Sequence, residues 1–488
     1  MKTFWSLAIG FFLVTFCQAT TGAELRLPAV LSDNMVLQRD MPVPIWGWAE
    51  PGEKIVVTMA GQTQSTTTDA QGKWKVHLGP MPAGGPWTMV VRGDKSQLQV
   101  ENILMGEVWL CSGQSNMKHY VRDSADGGHE VATANHPQIR LLEISCLHSP
   151  EPQEDIDLSL NQDSFPYESY PPEWKECTPD SIPIFTAVGY FFGREIHQEL
   201  NVPVGLINAS WGGSACEAWI NPAFLREFEE FQPILDREQS AHVTSKPGHM
   251  FNAMIHPLIP FALRGVIWYQ GESNAPRSYQ HRNLFPNLIY GWRDLWGQGD
   301  FPFYFVQLPN FEKECTEPEE GDWQEMRESQ LMTLATTRNT GMAVTLDLGD
   351  PNDIHPHNKQ DVGKRLARVA LAKTYGKDIV AYGPMFDSMV IKKHQIFLSF
   401  HEIGDGLVTR DGGPPIGFAV AGKDRVFHWA DAEMIDDQVV VSSPDVPEPL
   451  AVRYAWAKNP FFNLYNKNGL PASPFRTDTW PGTTLSNK

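Results

Sequence analysis

Cysteine is scarce in this 488-residue sequence, and its arrangement excludes several kinds of site. The six cysteines are Cys17, Cys111, Cys146, Cys177, Cys216 and Cys315. None of them forms a Cys-x-x-Cys pair or a cysteine/histidine pattern typical of zinc. A glycine-rich loop for binding phosphate is also missing. We therefore expect no metal and no other cofactor, and the sequence alone assigns no disulfide.

Basic residues are outnumbered, with 39 Lys and Arg against 58 Asp and Glu, so the net charge is −19. A surface this acidic repels the phosphates of nucleic acids and the headgroups of anionic membranes. Both are therefore excluded as partners. The same charge gives no long-range attraction to an acidic substrate.

Long apolar segments are absent after the N-terminus. Lys2 is followed by an apolar run over residues 4–16 and by the small residues Ala19 and Ala23. This layout predicts a signal peptide over residues 1–23. The alternative is a membrane anchor, but the run is shorter than the roughly 20 residues that span a bilayer. We expect a secreted or periplasmic protein with no membrane insertion after cleavage.

The remaining chain is too long for one hydrophobic core and divides into three regions by its patterning. Short alternating runs separated by turn residues predict a sandwich-like β domain over residues 24–100. Over residues 101–377, buried-strand candidates alternate with helical patterns at 187–200, 284–296 and 358–376. Strand signals return in residues 378–488, which predict a second β region that ends in an ordered loop.

The alternating pattern of the middle region predicts an α/β fold with three layers, a parallel sheet covered by helices on both faces. Ligands on such sheets bind beyond the carboxyl ends of the strands. We therefore looked for reactive side chains at the ends of the predicted strands.

The first strand end carries a serine. The segment GEVWLCSGQSNM, residues 106–117, runs from a strand into a turn at Gly113, where a β-carbon would be obstructive. Ser115 then projects at the carboxyl end, where it can act as a nucleophile, and its N–H can stabilise an oxyanion. The alternative is an ordinary turn with a capping serine.

Two further strand ends carry glycine and amide groups. Gly212 and Gly213 follow the predicted strand VGLINAS and can bring an N–H close to a bound carbonyl. Gln270 and Glu272 end the apolar strand RGVIWYQ. Gln270 could donate its amide to an oxyanion, and Glu272 could orient that amide or the nucleophile's loop. The alternatives are a tight turn and buried, hydrogen-bonded polar groups.

An acidic loop precedes the last predicted helix of this region. Asp353 and His355 lie in it, and a histidine titrating near neutrality suits a general base for a serine. A carboxylate can fix its tautomer. The alternatives are a helix-capping loop and a metal site that includes His357, but nothing in the sequence completes such a site. A serine, oxyanion donors and an Asp/His loop at successive strand ends favour acyl transfer to water.

Several segments in the same order resemble the sialate O-acetylesterase family, which belongs to the SGNH-type hydrolases. They are GEVWLCSGQSNM, FNAMIHPLIPFALRGVIWYQGESNA, FPFYFVQLPNF, LGDPNDIHPHNKQDVGKRLA and VRYAWAKNPFFNLYNKNGLPASPFRTDTW. The resemblance spans residues 27–480. It implies a flavodoxin-like α/β/α core, Ser115 as nucleophile, and His355 as base with a supporting aspartate. It also implies oxyanion donors from the Ser115 N–H, the Gly212-Gly213 loop and the Gln270 region.

Two departures from the family pattern affect these assignments. SGNH enzymes commonly space the acid and histidine as Asp-x-x-His, but here Asn352 occupies the acid's place and Asp353 is the nearest carboxylate. The support for His355 is therefore Asp353 or another group. The residues after GQSNM are Lys118-His119-Tyr120 instead of an acidic-aromatic-proline run, so the rim of the site is expected to differ.

The resemblance implies a secreted serine esterase that hydrolyses O-acetylated sialic acids. A sialate carboxylate would need a local cation, for which Arg277 is a candidate, although a solvated loop arginine is the simpler interpretation. Two alternatives stay open. One is the same chemistry on another acetylated polysaccharide such as xylan, and the other is a non-catalytic carbohydrate-binding protein.

Overall fold

The computed structural model describes residues 24–160 and 169–487. The predicted signal peptide, residues 1–23, lies outside the described residues. Over the described chain, no helix is long and apolar enough to cross a membrane. The five cysteines within this part, from Cys111 to Cys315, are all buried and form no disulfide.

The first part of the described chain is β-structure, as predicted. The strands are β1 (Val36–Gln38), β2 (Val43–Trp48), β3 (Lys54–Met59), β4 (Gln62–Thr67), β5 (Lys73–Leu78), β6 (Gly84–Arg92) and β7 (Gln97–Gly113). Strands β2 and β5 form an antiparallel pair, whereas β3 pairs with both β4 and β6, and β6 pairs with β7. In β5, buried and exposed residues alternate, as expected for a strand with one face on a core.

Strand β7 belongs to two parts of the fold. Its first half pairs with β6 and β1, and its second half, from Glu107 to Gly113, lies inside the sheet of the middle region. The boundary that the sequence predicts at residue 100 therefore falls within this continuous strand. At the changeover Glu107 is buried and binds the guanidinium groups of Arg39 and Arg264. The N-terminal β-structure is thus joined to the middle region by backbone and by ion pairs.

The middle region contains the predicted alternation of strands and helices. Its further strands are β8 (His136–Glu143), β9 (Trp174–Cys177), β10 (Val204–Ser210), β11 (Gly265–Tyr269), β12 (Phe303–Val306) and β13 (Thr340–Ala343). Its helices are α1 (Ser115–Lys118), α2 (Gly127–Thr133), α3 (Ala187–Leu200), α4 (Pro222–Arg226), α5 (Gln232–Asp236), α6 (Ser278–Trp296), α7 (Asp322–Thr336) and α8 (Lys359–Lys373). The helices predicted at 187–200, 284–296 and 358–376 are confirmed as α3, α6 and α8.

The strand order is β13-β12-β11-β7-β10-β8-β9, and all neighbours are parallel except the edge strand β9. After β7 the chain builds β8 and β10 on one side, and then crosses to build β11, β12 and β13 on the other. The direction of winding therefore reverses at β7. Open α/β sheets bind ligands at such a point, beyond the carboxyl ends of the strands.

Side chains of the central strands pack alternately against two helical layers. On β11, Trp268 contacts the rings of Phe285 and Trp292 on α6, with ring centroids 6.1 and 5.9 Å apart. The neighbouring Ile267 belongs to a second core cluster that includes Phe192 of α3 and residues of α8. This arrangement confirms the predicted α/β fold with helices on both faces of the sheet.

Helix α7 was not predicted from the sequence. It is buried along much of its length, but many of its buried residues are polar, including Gln324, Glu325, Arg327 and Gln330. Its apolar residues therefore do not follow a helical period. Glu325 accepts hydrogen bonds from the N–H and hydroxyl groups of Thr483 and Thr484, which attaches the C-terminal tail to this helix.

The C-terminal region is antiparallel β-structure. Its strands are β14 (Met385–Lys392), β15 (Gln395–His401), β16 (Leu407–Thr409), β17 (Phe418–Ala421), β18 (Phe427–Trp429), β19 (Asp431–Ile435), β20 (Gln438–Ser442), β21 (Ala451–Tyr454), β22 (Leu464–Asn466) and β23 (Phe475–Arg476). Residues 385–401 form a hairpin, because Lys393 adopts a left-handed conformation (φ 58°) and reverses the chain between β14 and β15.

We predict that Arg327→Met strongly destabilises the protein. The guanidinium of Arg327 is fully buried and donates to the carbonyl oxygens of Leu308, Pro309, Ala457 and Lys458, at distances of 2.6–2.9 Å. Methionine keeps the aliphatic stem but leaves these acceptors unsatisfied, at a cost of about 1–3 kcal/mol for each buried group. Chemical denaturation should give a loss of roughly 3 kcal/mol or more.

The control is Arg338→Met, because Arg338 is exposed. It should change the free energy of unfolding by no more than about 0.5 kcal/mol. Equal losses in the two variants would contradict the role of Arg327.

Candidate active site

The turn after β7 is shaped by a close approach of two strands. Gly113 has φ +136°, and a β-carbon at this position would lie 2.2 Å from the carbonyl oxygen of Tyr269 on β11. The next N–H, of Gln114, donates to the same oxygen at 3.0 Å. Only glycine permits this approach. It brings the start of α1 directly beside the carboxyl end of β11.

Ser115 is the first residue of α1, so its N–H has no acceptor within the helix. Its Oγ lies 2.8 Å from Nε2 of His355. His355 comes from the loop between β13 and α8, more than two hundred residues further along the chain. The structure therefore brings together the two side chains that the sequence predicted as nucleophile and base.

The surroundings of His355 favour the neutral imidazole, which is the form that can accept a proton. Its side chain is 40% exposed. Partial burial and the positive charge of Lys359 lower its pKa below the ordinary value, although Asp353 opposes this shift. The imidazole is therefore neutral at pH 7. A neutral ring that accepts the Ser115 hydroxyl at Nε2 carries its own proton on Nδ1.

Asp353 supports the loop more directly than it supports the imidazole. Its Oδ1 accepts the backbone N–H of His355 at 2.8 Å, whereas Nδ1 of the ring is 3.6 Å away. Its other oxygen lies 3.5 Å from Nε2 of His357. The hydrogen bond from the His355 N–H and the nearby imidazoles lower the pKa of Asp353, so it remains ionised.

Asn352 occupies the place expected for the acid, but it is exposed and belongs to a turn in which its N–H donates to Asp350 at 2.8 Å. Among these neighbouring side chains, Asp353 is the carboxylate beside the His355 ring.

The Gly212-Gly213 loop lies against the same turn. The N–H of Trp211 donates to the carbonyl oxygen of Gly113 at 3.0 Å, and Ser214 Oγ lies 3.5 Å from that oxygen. Gly213 is exposed with φ +73°, and Gly212 is half-buried. The glycine loop therefore lies beside the turn that carries Ser115, and donation from its N–H groups to an oxyanion stays a prediction.

Gln270 is almost fully buried, and its amide is directed into this loop. Its Nε2 donates to the carbonyl oxygen of Ser214 at 3.2 Å and to Oδ1 of Asn274 at 2.7 Å. Both amide hydrogens are thus used within the protein. Asn274 also accepts the N–H of Cys216 at 2.8 Å. Through these contacts Gln270 fixes the position of the glycine loop.

Glu272 does not contact the amide of Gln270. Its Oε1 accepts a hydrogen bond from Nδ2 of Asn116, the residue after the nucleophile, at 2.6 Å. Asn116 is itself fixed by Lys359, whose Nζ donates to its Oδ1 at 2.5 Å. The contacts of Glu272 favour the second suggested role, orientation of the nucleophile's loop.

Asn116 and Lys359 were not predicted from the sequence as site residues. Asn116 was visible only as part of the GQSN motif, and a lysine at the start of a helix is usually solvent-exposed. Lys359 is instead fully buried. Burial lowers its pKa to about 7, against the opposing influence of Glu272 and Asp353.

The residues that depart from the family pattern are largely inside the protein. Lys118 is buried and forms an ion pair with Glu143, which also accepts from Asn208 at 2.8 Å. His119 is half-buried, and burial lowers its pKa to about 4. Its ring packs edge-on against His357, with the centroids 5.5 Å apart. One of the residues that depart from the family pattern, Lys118, is therefore held inside the protein by its ion pair with Glu143.

Arg277 is neither solvated nor free. Its side chain is 15% exposed and pairs with Glu217 at 2.5 Å, while its other terminal nitrogen donates to Gln280 at 2.9 Å. The interpretation of Arg277 as a solvated loop arginine was therefore wrong. Its guanidinium is already occupied by a carboxylate of the protein, so it is poorly placed to bind one on a substrate.

No group of three or more His, Cys, Asp or Glu side chains in residues 24–160 and 169–487 could hold a metal ion. The chemistry that this arrangement supports is nucleophilic attack by a serine hydroxyl, assisted by a neutral imidazole and by backbone N–H groups.

Comparisons with known proteins agree with this chemistry. Residues 105–372 match the family model described as carbohydrate esterase, sialic acid-specific acetylesterase. Sialate O-acetylesterase of Homo sapiens is 30% identical over 96% of this chain and 96% of its own length. The enzyme of that name from Mus musculus is 31% identical over 93% and 95%.

A solved structure gives the same result. The crystal structure of a carbohydrate acetylesterase from Xanthomonas citri superposes with a TM-score of 0.84 at 41% identity, covering 93% of this chain and 100% of that one. The predicted fold class and the family resemblance are therefore confirmed. The chain belongs to the sialic acid-specific acetylesterase family of carbohydrate esterases and is a carboxylic ester hydrolase.

Proposed function

We propose that this protein is a serine esterase that removes O-acetyl groups from sialic acids, with Ser115 as nucleophile and His355 as base. The single observation that carries the residue assignment is the 2.8 Å contact between Ser115 Oγ and His355 Nε2 at the point where the sheet reverses its winding. Family membership and the names of the relatives support acetyl ester hydrolysis and the sialate substrate.

In the first half of the reaction, Ser115 Oγ attacks the carbonyl carbon of the acetyl group while His355 Nε2 takes the hydroxyl proton. The oxyanion of the tetrahedral intermediate accepts hydrogen bonds from the Ser115 N–H and from the Gly212-Gly213 loop. The intermediate collapses, the bond to the sugar oxygen breaks, and His355 gives that oxygen its proton. The products are the free sugar hydroxyl and acetyl-Ser115.

In the second half, a water molecule attacks acetyl-Ser115 while His355 takes a proton from it. The second tetrahedral intermediate collapses to acetic acid as the bond to Ser115 Oγ breaks, and Oγ regains the proton from His355. The released acetic acid gives its proton to water and becomes acetate. Asp353 stabilises the imidazolium in both halves through its negative charge. In this mechanism Gln270 holds Ser214 in position and does not donate to the oxyanion, because its amide hydrogens already have acceptors. Every proton in this cycle is carried by residues of this chain or by water.

The sialate assignment leaves one recognition question open to experiment. A sialate carboxylate favours a cation on the protein, and Arg277 is already paired with Glu217. The net charge of −19 also disfavours an anionic ligand at long range. An uncharged acetylated polysaccharide such as xylan is therefore the alternative substrate that the electrostatics favour.

We further propose that the protein is secreted or periplasmic. The basis is the sequence of residues 1–23, in which a lysine, an apolar run and small residues follow one another as in signal peptides.

We predict that Ser115→Ala and His355→Ala each lower kcat for an aryl acetate by at least about 10³-fold, because each removes one member of a single catalytic unit. The double variant should be scarcely slower than either single variant, since members of such a unit are strongly non-additive. Circular dichroism of each variant serves as the folding control. A folded Ser115→Ala variant that keeps more than about a tenth of the wild-type rate would refute the nucleophile assignment.

We predict that Asp353→Asn is milder, with a fall in kcat of roughly 10- to 100-fold, below the ~10⁴-fold seen where the acid binds Nδ1 directly. Asparagine keeps an oxygen for the His355 N–H but removes the charge that raises the pKa of His355. Because the base must be neutral, the acid limb of kcat/KM should move to lower pH.

The matched control for Asp353 is Asp350→Asn, since Asp350 lies in the same loop but accepts from Asn352. A larger loss for Asp350→Asn, or an acid limb that moves to higher pH in Asp353→Asn, would show that Asp353 is not the supporting acid.

We predict faster acetate release from O-acetyl sialosides than from acetylated xylan at matched acetyl concentration. Acetate is measured directly, with Ser115→Ala as the blank. A clear preference for xylan would replace the sialate assignment and leave the esterase intact. Faster cleavage of long-chain acyl esters than of acetyl esters would overturn the acetylesterase assignment as well.

A further inference from the structure

We propose that Lys359 and Asn116 are positioning residues that hold Ser115 and His355 in contact, and that Lys359 keeps His355 in its basic form. The proposal rests on the proposed function of this site, and it adds two residues that act through Ser115 and the His355 loop. Its physical basis is a buried chain of hydrogen bonds from Lys359 through Asn116 to Glu272 and the His355 loop.

Asn116 connects the two loops that carry the reacting side chains. It follows Ser115 directly in α1 and is 1% exposed. Its Nδ2 donates to Glu272 Oε1 at 2.6 Å and to the carbonyl oxygen of Ile354 at 3.0 Å. Ile354 is the residue immediately before His355. One amide group therefore joins the neighbour of the nucleophile to the neighbour of the base.

Lys359 fixes the orientation of that amide. Its Nζ donates to Asn116 Oδ1 at 2.5 Å, and below pH 7, where Lys359 is mostly an ammonium group, it can only donate. The Ile354 carbonyl oxygen can only accept a hydrogen bond. The Glu272 carboxyl group can also only accept while it is ionised. A reversed amide would point its N–H groups at the ammonium and its oxygen at two acceptors. The groups around Asn116 thus permit one orientation, in which every amide hydrogen has an acceptor.

The position of Lys359 is itself determined by the fold. It is the first residue of α8, it is fully buried, and its backbone N–H donates to the carbonyl oxygen of His357 at 2.8 Å. Its ammonium lies 5.6 Å from the centre of the Tyr269 ring on β11. The helix that follows the His355 loop therefore inserts a cation between that loop and the end of β11.

This cation acts on the titration of His355. Several charged or titratable groups surround the pair. They come from the His355 loop, the residue after α1, β11 and the segment after β11, and they are Asp353, His357, His119, Tyr269 and Glu272. Lys359 lowers the pKa of His355, whereas Asp353 raises it. Since the pKa of Lys359 is about 7, the lysine is charged over the acidic range in which His355 takes up its proton.

The test compares two substitutions at Lys359. Lys359→Met removes both the donor and the charge, and Lys359→Gln removes the charge but keeps a donor. We expect kcat of Lys359→Met to fall by roughly 10- to 100-fold with little change in KM, because the reacting atoms lose their alignment. Lys359→Gln should recover part of this loss. In both variants the acid limb of kcat/KM should move to higher pH by about 0.5–1 unit.

Asn116→Ala tests the positioning role in a protein that keeps Lys359. It should lower kcat about as much as Lys359→Met, and the double variant should be little worse than either one. This comparison also carries the test if Lys359→Met does not fold. The matched control is Lys373→Met on the same helix, because Lys373 Nζ also donates to a carbonyl oxygen, that of Thr340, at 2.6 Å. It should leave kcat and the acid limb unchanged.

The outcomes separate this inference from the proposed function. An active, folded Ser115→Ala variant would overturn the function itself. If Ser115→Ala is inactive but folded Lys359→Gln and Asn116→Ala keep the wild-type kcat and acid limb, only the positioning role fails. Loss of thermal stability with an unmoved acid limb in Lys359→Gln would likewise overturn it, since it would show a lysine needed for folding alone.

Discussion

The approach of β7 to β11 at Gly113 is the constraint on which the site depends. A β-carbon at this position would lie 2.2 Å from the Tyr269 carbonyl oxygen, and that oxygen also receives the N–H of Gln114. The approach determines where α1 starts, and therefore where Ser115 lies relative to the ends of β11 and β10. Because Trp211 donates to the Gly113 carbonyl, the glycine loop after β10 is fixed to the same turn. One close backbone contact thus sets the position of the proposed nucleophile and of the proposed backbone donors.

Buried polar groups, more than apolar packing, hold the loops behind the reacting atoms. Gln270 and Asn274 support the glycine loop through hydrogen bonds. One carboxylate oxygen of Glu217 accepts a hydrogen bond from Asn274, and the other accepts one from Arg277. Each of these groups has little exposure, so leaving a donor or acceptor unpaired would be costly. Directional bonds of this kind define loop positions more narrowly than apolar contacts, which are tolerant of small displacements. A site that must hold a serine and an imidazole within hydrogen-bond distance needs loops whose positions are fixed this narrowly.

The charges around His355 act in opposite directions. In the proposed mechanism, Asp353 stabilises the imidazolium that forms during the reaction, while burial and Lys359 favour the neutral ring that begins it. This balance would keep the proposed base neutral near pH 7 and retain a carboxylate that can assist proton transfer. The partial exposure of Asp353 and its 3.6 Å distance from Nδ1 weaken its influence, so a nearby buried cation has a substantial effect.

The sequence by itself determined the class of fold and predicted two side chains, Ser115 and His355, that the structure brings into contact. Helix α3 and strand β10 were predicted with the bounds that the structure has, because their apolar patterns and ends are local properties. Ser115 and His355 were recognisable because reactive side chains follow strands, and parallel strands end at one edge of a sheet. Helix α7 escaped prediction because its buried side chains include Arg327 and Gln330, whose partners lie elsewhere in the chain.

Tertiary structure alone decided which polar side chains support the site. Lys359 and Asn116 are 243 residues apart, and no sequence pattern indicates that the first is buried against the second. The same is true of the pairing of Arg277 with Glu217 and of the course of β7 through both sheets. Local sequence fixes periodicity and turn chemistry. The partner of a buried polar group depends on which distant segments the folded backbone brings within about 3 Å of it.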